Sequence, residues 1–161
     1  MSLREELLRA NAEFAAGFEH GSLPRPPARS LAVVTCIDGR INPLALLGLR
    51  PGDANVLRNA GARVTDDVLR SLTVSRHLLG MRETLLIGHT DCGLEGTTDA
   101  EIHTAVPGAE GMEFLPFADL EESVREGLRR IRATPLLADV ETSGWVYDVE
   151  TGRLHEVGDE A

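Results

Sequence analysis

The stretch LAVVTCIDGR, residues 31–40, begins with an uncharged and almost wholly apolar run from Leu31 to Cys36. Such a run, without polar alternation, reads as a strand buried on both faces, the mark of a parallel sheet covered by helices. Thr84-Leu-Leu-Ile-Gly88 reads the same way. Asn55-Val-Leu-Arg-Asn59, just after the turn signal Arg50-Pro-Gly-Asp53, reads as a third strand.

Helices are expected between and after these strands. Thr65 caps one predicted to run to Leu79, with Asp66 and Asp67 in its first turn, Val68, Leu69, Leu72 and Leu79 on one face, and Gly80 past its end. Asp119 starts another, with Glu122 three residues on, Leu120, Val124, Leu128 and Ile131 inward and Pro135 beyond it. Gly144–Val149 and Arg153–Val157 flank Thr151-Gly152 as a hairpin-like pair, whose last strand adds antiparallel at an edge. Residues 93–117, with Gly96, Pro107, Gly108, Gly111 and Pro116, read as a loop that is mobile in part. Residues 2–20 read as a helix with a Ser2–Glu5 capping box, an apolar stripe of Leu3, Leu7, Phe14 and Phe18, and a stop at Gly21. Pro24, Pro26 and Pro27 stiffen the linker behind it, so this helix is expected to reach a partner subunit, with docking on its own domain as the other reading. The fold class is therefore α/β: a mostly parallel sheet of four to five strands flanked by helices. Residues 1–161 are expected to form one domain, with 1–27 as N-terminal helix and linker.

The 161 residues carry 16 Lys+Arg against 26 Asp+Glu, a net charge of −10. That argues against a nucleic-acid partner, which would need a basic patch, and against anionic membrane surfaces. No apolar run approaches the ~18 residues of a membrane span. The charged start MSLREELLRA lacks the apolar core of a signal peptide. The expectation is a cytoplasmic protein. Its two cysteines then serve a metal or catalysis rather than a disulfide.

Both cysteines fall where ligands bind in open parallel sheets, at the carboxyl ends of strands. One ends the first run, in Cys36-Ile37-Asp38-Gly39-Arg40; the other follows the Thr84–Gly88 run, in His89-Thr90-Asp91-Cys92-Gly93. His89 and Cys92 are spaced for two ligands on a turn entering a helix. With Cys36 they offer two thiolates and one imidazole, a set that suits Zn²⁺. Three protein ligands leave a fourth position open, the mark of a catalytic site, where zinc lowers the pKa of a bound water from 15.7 to about 7. Positions 36, 38 and 40 would face one way in an extended chain. Asp38 is then placed to accept a hydrogen bond from that water, and Arg40 to hold Asp38 ionised; with the pair broken, Asp38 would close the fourth position. Without a metal the same pair would be an ordinary surface ion pair. Asp91 reads as a turn residue without chemistry. His20, His77, His103 and His155 read as surface or packing residues, with His103 the one candidate for a proton shuttle.

At these residues the chain resembles the β-class carbonic anhydrases, in which Cys-x-Asp-x-Arg is followed, after a strand and a helix, by His-x-x-Cys-Gly. The resemblance extends to Pro43, Pro51-Gly52-Asp53 and Arg58-Asn59-Ala60-Gly61. The tail, with Gly144-Trp145-Val146-Tyr147-Asp148 and Thr151-Gly152-Arg153-Leu154, looks like the short bacterial members. It implies zinc held by Cys36, His89 and Cys92, a gating pair of Asp38 and Arg40, and reversible hydration of CO2 to bicarbonate and a proton. It also implies assembly as a homodimer or homotetramer with the N-terminal helix lying across the partner. The chain departs from the family's plant-type pattern at Gly39, where those members carry Ser. It departs at Val33 from a bicarbonate-inhibited subset that carries Trp there, so that inhibitory site is not expected. Two other readings stand beside this one: hydrolysis of carbon disulfide or carbonyl sulfide on the same zinc ligands, and a non-catalytic zinc domain with Asp38 filling the fourth position.

Overall fold

A computed structural model describes residues 1–158. Its sheet has five strands: β1 (Leu31–Cys36), β2 (Ala54–Asn59), β3 (Glu83–His89), β4 (Glu141–Tyr147) and β5 (Leu154–Val157). Their order is β2-β1-β3-β4-β5. The first four are parallel, and β5 pairs antiparallel with β4 at the edge, as the hairpin signal requires. β1 is buried along its whole length. Its neighbours are β2, with Cys36 opposite Asn59, and β3, with Thr35 opposite Ile87. The two strands that carry the cysteine motifs therefore lie side by side and end at the same edge of the sheet.

Two helices cover one face of that sheet: α3 (Asp66–Leu79) and α5 (Leu120–Arg132). Thr65 and Asp119 cap them as their sequences predict, and Gly80 ends α3 in the left-handed conformation. Val68 and Leu72 from α3, with Val124, Leu128 and Ile131 from α5, close over Ala32, Val34, Leu86 and Val146. The α5 packing is unusually close because glycines line it. A Cβ at Gly144 would stand 2.6 Å from Val124 Cγ1 and 2.8 Å from Leu128 Cδ1. Gly144→Ala is expected to destabilise the protein by about 1–3 kcal/mol through overpacking, read from the midpoint of urea unfolding; an unchanged midpoint would show that α5 can back away from the sheet.

The remaining helices correct the sequence reading. The first, α1 (Leu3–Ala16), has the expected Ser2–Glu5 capping box but stops at Gly17, four residues before Gly21. Gly17 donates to the carbonyls of Phe14 and Ala15, so the first glycine the helix meets ends it and Phe18 lies beyond. None of its residues is buried; Leu7 is 60% and Phe14 62% exposed. Asn42 caps a single short turn of helix, α2 (Pro43–Leu46), with Pro43 at the start. The segment expected to be loop contains α4 (Asp99–Ala105), nucleated by a Thr98–Glu101 capping box. Its surroundings are tied down: Glu95 bridges to Phe117, Gly96 donates to the Phe117 carbonyl, and the Phe114 amide donates to Asp99. The linker is anchored too, since Pro27 is buried and Ala28 and Arg29 donate to the carbonyls of Gly52 and Asp53.

Candidate metal centre

Cys36 and His89 come to the site from the ends of strands, and Cys92 from the turn that follows. β1 delivers Cys36 at its last residue, and β3 delivers His89 at its last residue. Beyond His89, the Thr90 amide donates to the Tyr147 carbonyl, which carries the chain one step further along β4. Asp91 then takes a left-handed φ of 56° and turns the chain so that Cys92 faces back to the site. No helix begins here: Cys92–Glu95 is a turn closed by the Glu95 amide on the Cys92 carbonyl, and the next helix is α4. The expected helix N-terminus near Gly93 is therefore absent, because the chain is drawn instead into the bridge with Phe117.

Cys36, His89 and Cys92 are buried, and their ligand atoms lie within 4.8 Å of one another. His89 Nδ1 is 2.9 Å from the Thr90 carbonyl oxygen. A carbonyl can only accept, so the proton sits on Nδ1 and Nε2 presents its lone pair. That Nε2 is buried and has no hydrogen-bond partner. An orphaned basic nitrogen aimed at two thiols is costly unless a cation takes it. Burial pushes the Cys92 thiol up, and the Cys36 thiol beside it adds to the rise. A cation among the three would offset that cost and hold both sulfurs as thiolates. Two sulfurs and a nitrogen in this arrangement fit zinc. Cys36 Sγ also accepts a hydrogen bond of 3.3 Å from the Gly61 amide. Gly61 needs its φ of 72° to aim that amide, and a Cβ there would press on Leu94.

Asp38 and Arg40 meet, though not as alternate residues of an extended chain. A turn folds Asp38 back, so that its Oδ1 accepts from the Arg40 amide at 2.8 Å and its carbonyl accepts from Ile41. Arg40 Nε lies 3.0 Å from Asp38 Oδ1, and Nη2 lies 2.7 Å from Oδ2, a bidentate pair. The guanidinium holds the Asp38 carboxyl well below the usual carboxylate range, so Asp38 is ionised at any working pH. Its carboxylate stands outside the cluster of metal donors. Arg58 reaches over from β2 and donates to the carbonyls of Cys36 (2.8 Å) and Asp38 (2.6 Å), which fixes the backbone between them. The site opens into a cavity of about 330 Å³ with mainly apolar walls, among them Ile37, Ala60 and Leu94, and with Asp38 on its rim.

Three participants escaped the sequence reading. Gly61 and Arg58 sit inside the quoted Arg58-Asn59-Ala60-Gly61 stretch, yet their bonds to the Cys36 loop cross between strands. Asp91, expected to be only a turn residue, also binds Arg40. His103 is not at the site: its Nε2 bonds the Met112 carbonyl, and its ring lies edge-on to Phe114.

Comparison with known proteins agrees with this geometry. A family model described as carbonic anhydrase matches residues 31–105. The chain is 42% identical over 162 residues to β-carbonic anhydrase 1 of Mycobacterium tuberculosis, an alignment that covers 98% of this chain and 99% of that protein. It is 33% identical over 160 residues to a carbon disulfide hydrolase of an Acidianus species, with 81% of this chain and 78% of the other covered. Among solved structures, the carbonic anhydrase of Streptococcus mutans superposes with a TM-score of 0.91 at 43% identity, over 98% of this chain and 99% of that one.

Proposed function

The chain belongs to the β-carbonic anhydrase family, and from that premise we propose how its own residues carry the reversible hydration of carbon dioxide to bicarbonate. Cys36, His89 and Cys92 hold zinc, the cofactor of this family. Zinc bound there supplies a water that ionises near pH 7 rather than at 15.7. Asp38, ionised and so an acceptor only, would accept a hydrogen bond from the attacking water or hydroxide at the cavity and so orient it. Arg40 keeps Asp38 charged and pointed at the cavity. Ile37, Ala60 and Leu94 offer the linear, uncharged CO2 an apolar wall. The observation that carries this reading is the buried, partnerless Nε2 of His89, grouped with two thiols under a cavity rimmed by a carboxylate.

Stopped-flow hydration of CO2 by zinc-loaded protein, scanned from about pH 6.5 to 9, tests it. The expected rate is far above buffer and rises through one ionisation. No rate at any pH with one zinc per chain would sink the reading. Carbon disulfide hydrolysis is the related chemistry on the same donor set. It is disfavoured by the lower identity and smaller coverage of that relative, and a turnover of CS2 above that of CO2 would reverse the order. The non-catalytic reading needs Asp38 among the metal donors, and it stands instead against Arg40.

We place the protein in the cytoplasm, where both thiols stay reduced and able to bind metal. No helix among the described residues is long and apolar enough to cross a membrane. We also assign a homodimer, or a multiple of one, from α1: a capped helix of 14 residues with its apolar side chains exposed is stable only when something covers it. A second copy of the chain is that cover. Light scattering is expected to return at least two chains per particle, and the double change Leu7→Glu with Phe14→Glu is expected to lower that number. A monomeric wild type would refute the assignment.

A further inference from the structure

We propose that Asp91 is a positioning residue: it clamps Arg40 along the second edge of its guanidinium and so keeps the Asp38 carboxylate off the fourth metal position. The proposal rests on the reading of Asp38 and Arg40 given above. Arg40 offers its Nε–Nη2 edge to Asp38 and its other edge to Asp91. Nη1 lies 2.7 Å from Asp91 Oδ2, and Nη2 lies 3.0 Å from the Asp91 carbonyl. The left-handed backbone of Asp91 brings the carbonyl and the carboxylate to the same guanidinium, a conformation that Asp tolerates better than most residues. Among the described residues only Arg40 donates to the Asp38 carboxylate. The Arg40 backbone amide holds Oδ1, and the direction of the Arg40 side chain decides how Oδ2 is held.

Arg40 needs the second anchor. Its side chain is 46% exposed, and the Asp91 side chain 77%. A single exposed ion pair adds little to stability and leaves a long side chain free to change rotamer. Two carboxylates on two different loops fix the planar fork in one orientation. Asp91 also lies between the ligands His89 and Cys92, so the clamp ties the metal-binding turn of β3 to the Asp38 turn of β1. With Asp91 removed, the Asp38–Arg40 pair is free to drift as a unit, and Asp38 competes for the fourth metal position.

The test uses cobalt(II) in place of zinc, with azide as the probe of the open position and visible absorption as the readout. Asp91→Gly keeps the left-handed φ and deletes the carboxylate; Asp91→Asn keeps the shape and deletes the charge. Azide affinity is expected to fall about tenfold in Asp91→Gly and less in Asp91→Asn, with a changed cobalt spectrum and one metal per chain. Simple electrostatics has the opposite sign, since loss of a negative charge beside the site would tighten anion binding. Unchanged or tighter azide binding in both variants overturns the proposal. So does loss of metal from both, which would make Asp91 a folding residue. Arg40→Ala separates the two levels. If it weakens azide binding while the Asp91 variants do not, the clamp is wrong and the Asp38–Arg40 reading stands. If Arg40→Ala has no effect either, that reading falls as well.

Discussion

Cys92→Ser is expected to cost the protein its zinc and its activity together. Serine keeps the size of the side chain but replaces a soft sulfur with an oxygen whose proton the metal does not displace at neutral pH. Cys36 and His89 then remain at the ends of β1 and β3 with nothing to replace the third donor, because the Asp38 carboxylate is bound by Arg40 and lies outside the donor cluster. Metal analysis after dialysis should fall from one zinc per chain to near none. The CO2 hydration rate should fall to that of buffer, a loss on the order of 10⁶-fold, the low end of enzymatic rate enhancement. The fold should survive, because Cys92 lies beyond the end of β3 and the large apolar side chains of the core are untouched; far-ultraviolet circular dichroism checks this. A variant with stoichiometric zinc and full turnover would remove Cys92 from the ligand set.

Asp38→Asn is expected to slow turnover while zinc stays bound. The amide has the carboxylate's shape, but it offers one acceptor oxygen and two N–H donors where Asp38 offers two acceptors. It no longer balances the Arg40 guanidinium, so the bidentate pair is lost. Partners of metal-bound groups are commonly worth 10–100-fold in activity, and kcat/KM is expected to drop by about that much. Zinc content should not change, because Asp38 is not among the donors. The pH profile separates this effect from simple damage to the site. Arg40 holds the Asp38 carboxyl well below the usual carboxylate range, so Asp38 stays ionised through the neutral range and does not titrate there. The activity rise near neutral pH should therefore persist in the variant at reduced amplitude. Full activity in Asp38→Asn would end the role assigned to this residue.

What was legible in the sequence follows from how local each signal is. β1 and β3 could be read because Leu31–Cys36 and Thr84–Gly88 are short, uncharged and mainly apolar, the pattern of strands buried on both faces. Helices α3 and α5 could be read because Thr65, Gly80 and Asp119 act within one turn of their own positions. Helix α4 does not stand out although its Thr98–Glu101 box has the same local form, since glycines flank it on both sides and prolines follow it. The early stop of α1 at Gly17 was missed because the apolar stripe continued to Phe18.

The sequence by itself determined the candidate donors, the α/β class and the acidic character of this protein, because residue identity settles ligand softness, burial tendency and charge without reference to neighbours. Only the tertiary structure decided that Cys36 and the His89–Cys92 turn meet, since parallel pairing of β1 with β3 brings their ends to one edge. It also decided which groups serve the site from elsewhere: Gly61 at the Cys36 sulfur, Arg58 across the Cys36–Asp38 backbone, and Asp91 on Arg40. Each of those bonds joins residues at least twenty positions apart. Hydrogen bonds depend on distance and direction in space, and a one-dimensional pattern carries neither until the sheet register is set.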